Sequence, residues 1–331
     1  MRAKLYTTFF TTMIVGVVAG YGVVSLARLT IYFASSFFAD RNAEVVEQYE
    51  NGTQNQDASL PNTETNFIRR AISYVTKNGE YHVINVDMAF PKLTAGSYLI
   101  ADLDNGEVIK SHDSFVEHPI ASVSKLMTAL VALKNIDQGA TTRISYSAVS
   151  TYGTQGGLRT GENLAVGALM RALLLQSSND AAEVLAEFAG RDNFMSKMNS
   201  EAEYLGMRNT RFSDPSGLSE KNVSSADDLL RLAQYIYRSY PEIIDMTHER
   251  MYRVGSHLWY NNNIFINDSK YLGGKNGYTE EANHTLVALF KLPLGSDSEL
   301  RNIAIILLDG ERNEKDVRAI ILYLLRNIEF Y

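Results

Sequence analysis

A serine and a lysine three residues apart, Ser122 and Lys125, begin a largely apolar stretch of the sequence. On a helix, residues with this spacing share a face, so the two side chains can contact each other. A lysine that is desolvated beside a serine can act, when it is neutral, as the base that takes the hydroxyl proton. The same pattern also suits a helix-capping serine followed by a solvated lysine, so nucleophilic catalysis is a hypothesis that needs further residues.

Two later segments carry side chains that such a reaction could use. Ser177 and Asn179 place a hydroxyl and an amide two residues apart between two predicted helices, where both could face a cleft or simply cap a helix. Lys275 and Gly277 stand just before a predicted strand. The lysine would supply positive charge for a carboxylate, and the glycine would let a substrate approach the backbone. A turn with a surface lysine is the alternative for this segment.

The elements that must position these residues follow from the periodicity of the chain. Residues 98–111 predict two strands around Asp104-Asn105-Gly106, a sequence typical of a two-residue hairpin turn. Strands at both ends of a helical middle predict an α+β domain whose sheet joins distant parts of the chain. The predicted helices are 122–134, 164–175, 180–188, 193–205, 226–237 and 315–328, and the later strands are 285–291 and 302–308.

Composition excludes several classes of protein. The chain has 331 residues, a formal charge of -7 and 45% hydrophobic residues. These values are typical of a globular protein with a sizeable core, in one large domain or two modest ones, and they give no reason to expect a nucleic-acid partner. The absence of cysteine excludes disulfides, thiol nucleophiles and cysteine-ligated metal clusters. The histidines form no HExxH pattern or close pair, so neither a metal site nor a cofactor is expected.

The N-terminus predicts a membrane segment. From Leu5 to Ala27, 23 residues carry no charge, and Arg2, Lys4 and Arg28 flank them. This length suits a bilayer-spanning helix, and the basic start places the following chain outside the cytoplasm. A retained anchor within residues 1–40 is therefore the favoured interpretation. A cleaved signal peptide that ends near Ala27, or a buried core helix, is the alternative.

The region after this segment predicts a linker and then the globular domain. Residues 41–66 are mostly polar and poor in large apolar residues, so residues 41–80 are interpreted as a polar tether. The catalytic domain is expected to occupy residues 81–331.

The order and separation of the three motifs are more specific than any motif alone. A Ser-x-x-Lys pair is followed by Ser-x-Asn after 55 residues and by Lys-x-Gly after a further 98 residues. This set is the signature of penicillin-binding proteins and serine β-lactamases. Over about residues 84–325 the chain resembles D-alanyl-D-alanine carboxypeptidases, the low-molecular-mass penicillin-binding proteins. Segments 205–207, 210–218 and 225–229 match the family outside the active-site motifs.

The resemblance implies a role for each residue of the first two motifs. Ser122 would be the nucleophile that forms an acyl-enzyme with the penultimate D-alanine of a peptidoglycan stem peptide, and Lys125 would activate it. Ser177 would pass a proton to the leaving amine. Asn179 would hold the amide carbonyl of the substrate and also the Lys125 side chain.

The third motif would bind the substrate. Lys275 would lend positive charge near the terminal carboxylate, and Gly277 would allow a close approach. The oxyanion hole would use the backbone N–H groups of Ser122 and Tyr278. Asn276 stands where the family has threonine. Its amide could donate from a similar place, although it is bulkier and differently directed.

The resemblance also implies an architecture and a setting. The expected fold is an antiparallel sheet flanked by helices with a mostly helical subdomain, as in penicillin-binding proteins and serine β-lactamases, with the site in the cleft between them. The expected partners are the peptidoglycan stem peptide, β-lactam antibiotics as covalent inhibitors, and the membrane through the N-terminal helix. The expected location is the bacterial cell envelope, with the catalytic domain outside the cytoplasm.

Two other functions remain open at the level of sequence. A serine β-lactamase needs a carboxylate that activates water for deacylation, but the corresponding stretch runs into carboxypeptidase-like sequence at 212–218. A catalytically weakened, membrane-tethered wall-binding protein is suggested by Asn276 and by the lack of an arginine in 260–267, where some relatives carry one. Release of a terminal D-alanine and cleavage of a cross-link between two stems use the same site, so the motifs do not distinguish carboxypeptidase from endopeptidase.

Overall fold

The computed structural model of the chain describes residues 81–85, 88–295 and 299–330. The predicted membrane anchor of residues 1–40 and the predicted tether of residues 41–80 lie outside these ranges. Across the described part of the chain, every helix is too short or too polar to cross a bilayer.

Helices occupy the middle of the chain and its C-terminal end. Several begin at a residue that suits a helix start. Ser178 and Ser225 each accept a hydrogen bond from a backbone N–H of the first turn, and Pro241 is the first residue of its helix. The α-helices of the described residues are α1 (Lys125–Asn135), α2 (Tyr146–Val149), α3 (Val166–Leu175), α4 (Asn179–Phe188), α5 (Arg191–Tyr204), α6 (Ala226–Ser239), α7 (Pro241–His248) and α8 (Asn313–Asn327). A short 3₁₀ helix over Ala121–Ser124 leads directly into α1.

The strands of the five-stranded sheet come from the two ends of the described chain, and short strand pairs lie between them. The strands of the described residues are β1 (Tyr81–Val83), β2 (Ser97–Asp102), β3 (Val108–His112), β4 (His118–Pro119), β5 (Thr141–Arg143), β6 (Asn163–Ala165), β7 (Val223–Ser224), β8 (Met251–Val254), β9 (His257–Tyr260), β10 (Tyr271–Thr279), β11 (Asn283–Pro293), β12 (Leu300–Gly310) and β13 (Ile328–Phe330).

A five-stranded antiparallel sheet in the order β10-β11-β12-β2-β3 organises the domain. Its register joins the two ends of the chain, since Val287 pairs with Ile306 and Ile306 pairs with Leu99. Strand β12 lies at the centre and is a nearly continuous apolar run, as expected for a strand that is covered on both faces. Strand β10 lies at the edge. The α+β class and the antiparallel sheet expected from the sequence are confirmed.

Side chains alternate between the two faces of the sheet, and each face packs into a different core. Val287 and Ile306 belong to the larger core, which contains the buried residues of α1, α3, α4 and α6. Leu286 and Ile305 belong to a second core, which α8 covers with residues such as Leu324. The helical subdomain therefore lies in front of the sheet, and α8 lies behind it.

Most predicted elements are present, and the structure adds several, among them β10, which contains Lys275 rather than following it. Helix α8 is one residue shorter at its end than predicted, because Ile328 begins β13. The helix predicted from residue 164 begins at Val166, because residues 163–165 pair with β5. Helix α7, of 8 residues, and the hairpin of β8 and β9, with 4 residues in each strand, are missing from the sequence prediction. Elements this short hold too few residues for a periodic pattern to stand out.

Candidate active site

The structure places Ser122 in the 3₁₀ turn that precedes α1, next to the edge strand of the sheet. The turn starts from a constrained backbone, since Ala121 has φ of 46°, a left-handed conformation that is uncommon for a residue other than glycine. Such conformations persist where the surrounding structure holds them, and they are frequent at functional sites. Ser122 Oγ lies 2.9 Å from Lys125 Nζ, so the predicted contact between serine and lysine is present.

Lys125 is 0% exposed and carries three acceptors around its Nζ. Besides Ser122 Oγ, Nζ contacts Asn179 Oδ1 at 2.7 Å and the carbonyl oxygen of Ser216 at 2.6 Å. Burial and the nearby charge of Lys275 lower the pKa of Lys125 well below its usual range, whereas other neighbouring charges raise it. A lysine in this setting has access to its neutral form, which is the form that can accept a proton.

The second motif forms the start of α4. Ser177 is 6% exposed and has φ of 62°, so the chain turns sharply just before the helix. Ser178 caps the helix, and Asn179 is its first residue. Asn179 Nδ2 donates to the carbonyl of Tyr152 at 3.0 Å, while its Oδ1 accepts from Lys125. Both the oxygen and the nitrogen of the Asn179 amide are therefore hydrogen-bonded. The motif caps α4 through Ser178 and contributes to the site through Asn179.

A loop over residues 152–158 is attached to this motif by a buried carboxylate. Asp180 Oδ1 accepts a hydrogen bond from the backbone N–H of Gly156 at 2.8 Å, and it also contacts Ser178 Oγ. A Cβ atom at Gly156 would stand 2.8 Å from Ser178 Oγ, so a side chain there would push the loop away. Trp259 Nε1 donates to the Gly156 carbonyl at 2.7 Å from the other side.

The third motif lies on β10. Lys275 is 1% exposed, and its Nζ donates to the carbonyl of Asn276 at 2.8 Å. Burial lowers the pKa of Lys275 to about 7. Gly277 is required by space, because a Cβ atom there would stand 2.7 Å from the backbone nitrogen of Ser122. The edge strand therefore runs directly past Ser122, the predicted nucleophile.

The side chains of Asn276 and Tyr278 point to the opposite face of the strand from Lys275 and Gly277. Asn276 lines a cavity of about 590 Å³ together with Asn313 at the start of α8. Its Oδ1 is buried and has no hydrogen-bond partner among the described residues. Tyr278 is exposed, with its ring centre 4.7 Å from that of His284. The structure thus brings the Asn276 backbone, and not its amide, towards the other motif residues.

Residues 214–219 also contribute to the site, although they lie outside the three sequence motifs. This loop supplies the Ser216 carbonyl to Lys125. It also packs Gly217 so closely on the nucleophile turn that a Cβ atom there would stand 1.9 Å from the oxygen of Ala121. Backbone groups make these contacts, so no pattern of side chains in the sequence indicates them. The Asp-Pro-Ser-Gly order was the available signal, since it is typical of a tight turn.

Comparison with known proteins identifies the family of the chain that contains this site. The sequence profile described as D-alanyl-D-alanine carboxypeptidase matches residues 84–307, about two thirds of the chain. The chain belongs to the D-alanyl-D-alanine carboxypeptidase family. The matched range contains the three motifs and the 214–219 loop, so the geometry above is that of a family member.

Individual relatives agree with this assignment. The chain is 36% identical over 207 residues to a D-alanyl-D-alanine endopeptidase of Haemophilus influenzae, across 60% of this chain and 70% of the relative. It is 32% identical over 211 residues to a D-alanyl-D-alanine carboxypeptidase of Mycobacterium tuberculosis, across 60% of this chain and 70% of the relative. A crystal structure of a D-alanyl-D-alanine carboxypeptidase from Mycobacterium tuberculosis H37Rv is similar with a TM-score of 0.65 at 29% identity, covering 72% of this chain and 92% of that one.

These findings confirm three sequence predictions for this member of the carboxypeptidase family. The resemblance to D-alanyl-D-alanine carboxypeptidases is confirmed, as is the penicillin-binding-protein fold. The chain is a serine hydrolase of the cell-wall peptidase type.

Proposed function

We propose that this chain removes the terminal D-alanine from peptidoglycan stem peptides through an acyl-enzyme on Ser122. The observation that carries the proposal is the 2.9 Å separation of Lys125 Nζ and Ser122 Oγ, with the lysine fully buried. A base with an accessible neutral form, in contact with a hydroxyl, is what nucleophilic catalysis by serine requires.

The proposed acylation step gives each of these residues one role. Neutral Lys125 takes the proton of Ser122 Oγ as that oxygen bonds to the carbonyl carbon of the penultimate D-alanine. Negative charge develops on the carbonyl oxygen, and the backbone N–H groups of Ser122 and Tyr278 stabilise it. The C–N bond then breaks, and the departing D-alanine amine receives a proton through Ser177. Water later hydrolyses the ester and regenerates the serine hydroxyl.

The edge of β10 is the surface on which the substrate would lie. Within the described residues β11 is the neighbour of β10 in the sheet, so its outer edge can accept an extended peptide as an additional strand. Lys275 supplies positive charge for the terminal carboxylate, and that carboxylate in turn favours the charged form of the lysine. Gly277 leaves room for the approach. Asn276 contributes its carbonyl, which accepts from Lys275, and Asn179 supplies an amide for the substrate carbonyl.

The experiment that tests this function measures free D-alanine released from a synthetic stem peptide that ends in D-Ala-D-Ala. The full chain should release D-alanine, and the Ser122→Ala variant should not. Covalent labelling by a fluorescent penicillin should likewise disappear in the variant, because the same oxygen attacks both molecules. A folded protein without turnover in the first assay would contradict the proposal.

Cleavage of cross-links between two stems is the second candidate function. Relatives in Haemophilus influenzae, Escherichia coli and Pseudomonas aeruginosa, at 34 to 36% identity, are D-alanyl-D-alanine endopeptidases. A recess of about 360 Å³, lined by residues such as Tyr152, Leu218 and Thr279, adjoins the segments that build the site and could receive a second stem. Incubation of the same protein with a cross-linked dimer and with a linear stem peptide separates the two activities.

The two remaining hypotheses make different predictions for the same assays. A weakened wall-binding protein would bind peptidoglycan without releasing D-alanine. A β-lactamase would hydrolyse penicillin continuously, whereas a carboxypeptidase would remain acylated. The full set of Ser122, Lys125, Ser177, Asn179 and Lys275 favours the peptidase, because loss of activity usually removes one of the reacting groups.

The family acts in the cell envelope, and we infer how this chain reaches it. Residues 1–40 are proposed as a membrane anchor, residues 41–80 as a tether, and residues 81–331 as the catalytic domain outside the cytoplasm. The uncharged segment between Lys4 and Arg28 supports the anchor. Fractionation of cells that produce the full chain should place it with the membrane. Deletion of residues 5–27 should abolish this attachment, and a soluble full chain would contradict it.

A further inference from the structure

The Asp214 carboxylate is the centre of the loop that contacts both reacting residues. Its Oδ1 accepts hydrogen bonds from Ser216 N, Ser216 Oγ and Gly217 N, each at 2.7 Å. Its Oδ2 accepts from Ser219 N at 2.8 Å. Hydrogen bonds to an ionised carboxylate are about twice as strong as neutral ones, so this group determines how the loop folds.

The loop in turn touches both partners of the acylation step. Ser216 carries the carbonyl that accepts from Lys125 Nζ at 2.6 Å. Gly217 has φ of 83° and lies against the carbonyl of Ala121, the residue before the nucleophile. A shift of the loop would therefore move the base and the nucleophile turn together.

Two further contacts attach the loop to α1 and to the turn before it. Asn222 Oδ1 accepts from Ser213 N at 2.8 Å, while its Nδ2 donates to Ser124 Oγ at 3.2 Å. Thr128 Oγ1 donates to the carbonyl of Pro215 at 2.5 Å. The loop is thus attached to the helix that carries Lys125, and the hydrogen bonds to Asp214 fix the conformation of residues 216–219.

We infer that Asp214 is a positioning residue for acylation: its carboxylate holds the Ser216 carbonyl on Lys125 and holds Gly217 against the nucleophile turn. The inference rests on the proposed function and adds a residue to it that does not touch the substrate. Asp214 acts only through the groups that it orders.

The charge of Asp214 gives this role a signature that a purely structural role lacks. The charged groups that act on Lys125 are Lys275 on β10, Asp214 on the loop and Asp180 on α4. Burial and Lys275 lower the pKa of Lys125, while Asp214 and Asp180 raise it. Removal of the Asp214 charge should therefore lower this pKa further. Lys125 would then be neutral at lower pH but would be a weaker base.

The test measures the rate of acylation by a fluorescent penicillin as a function of pH, with the full chain and two variants. In Asp214→Asn, which keeps one acceptor oxygen, the acidic limb of the profile should move to lower pH. The plateau rate should fall several-fold because the base is weaker. In Asp214→Ala, which loses the charge and all the acceptors, the acidic limb should move in the same direction and the plateau rate should fall about 100-fold.

A matched control separates these effects from a general loss of charge. Asp137 also accepts a backbone hydrogen bond, from Gly139 N at 3.1 Å, but it lies beyond the end of α1, about 18 Å from Lys125 along the helix. Asp137→Asn should leave the profile unchanged. An Asp214→Ala variant that folds and acylates at the wild-type rate, with the wild-type acidic midpoint, would overturn the inference. A wild-type chain that is not acylated at all would instead remove the proposed function.

Discussion

The front and the back of the five-stranded sheet bury different kinds of side chain. Behind the sheet, α8 packs Val317, Ile320 and Leu324 onto strand residues such as Phe290 in a mainly hydrocarbon core. In front of it, at the edge that faces the helices, two cationic side chains are almost fully removed from water: Lys125 and Lys275 are 0% and 1% exposed.

The difference shows which buried side chains stabilise the fold and which ones lower its stability. Burial of hydrocarbon is favourable, at about 25 cal/mol for each Å² removed from water. Burial of a cation is unfavourable unless it is well paired, and often remains so even then. Neither lysine forms an ion pair within the described part of the chain; their contacts are to a hydroxyl, an amide and carbonyl oxygens. The front therefore maintains a strained, reactive cluster on a scaffold that the hydrocarbon cores on both faces of the sheet stabilise.

Among the variants that test this difference between the two faces, Lys125→Ala should have the largest effect, and it should act on the rate of acylation. Acylation by penicillin should fall by about 10⁴- to 10⁶-fold, because the base that activates the serine is lost. The protein should still fold, because the gain from removing a buried amine is offset by the cavity and the unpaired acceptors that it leaves. Lys134→Ala, on the same helix but with a partly exposed ion pair to Glu201, is the control and should acylate normally. A Lys125→Ala variant that acylates at the normal rate would contradict the assigned role.

The second effect belongs to the back of the sheet. Leu324→Ala should lower the free energy of unfolding by about 2 to 5 kcal/mol, because Leu324 is fully buried under α8. Leu322→Ala removes the same side chain from an exposed position of the same helix and should change it by less than about 0.5 kcal/mol. Urea unfolding measures both values. Acylation per folded molecule should be unchanged in both variants. A strong loss of activity in Leu324→Ala would show that packing behind the sheet also controls the site in front of it.

A smaller effect, of opposite sign, is expected from Lys275→Met. Folding lowers the pKa of Lys275 to about 7, so as the pH falls below about 10.4 the unfolded lysine takes up its proton before the folded one does. Lys275 therefore destabilises the fold most below pH 7. The variant should be more stable than the wild type by about 1 to 4 kcal/mol at pH 6, and this gain should vanish near pH 10 to 11.

The same variant should lose activity in a pH-dependent way. Turnover of a peptide with a free terminal carboxylate should fall about 10- to 100-fold at pH 6, where the wild-type lysine is charged. The loss should be smaller above pH 7. A peptide that ends in an amide should show much less difference between the two proteins. Equal losses for both peptides would exclude the proposed contact between Lys275 and the carboxylate.

The smallest effect should come from Asn276→Thr. The Asn276 side chain faces α8, and its Oδ1 is buried without a partner in the described structure, so the family residue removes an unsatisfied acceptor. Unfolding should require the same free energy or about 1 kcal/mol more. D-alanine release should change by less than about tenfold, because the backbone of β10 is retained. A larger gain in turnover would show that the asparagine amide does obstruct the substrate.

Features that depend on residues close together in the sequence could be predicted, whereas features that depend on distant residues could not. The Ser-x-x-Lys contact was predictable, because a single helical turn brings Ser122 to Lys125 whatever the rest of the chain does. The position of the hairpin near Asn105 and the apolar strand β12 were predictable for the same local reason. The predicted two-residue turn was wrong, because residues 103–107 separate β2 from β3. The hairpin of β8 and β9 was not, because four-residue strands carry little pattern. The role of residues 214–219 was not, because their contacts to the site use backbone groups.

The amino-acid sequence by itself determined the family, the order of the motifs and the chemistry of the reacting groups, since these depend on residue types and on spacing within single elements. Only the tertiary structure decided the electrostatic state of the site. Lys125 and Lys275 are far apart along the chain, and their pKa values depend on how deeply the fold buries them. The pKa of Lys125 also depends on the charges of Lys275, Asp214 and Asp180, which the fold places beside it. It also decided that Asn276 faces α8, because the direction of a strand residue is set by the cores that the sheet divides.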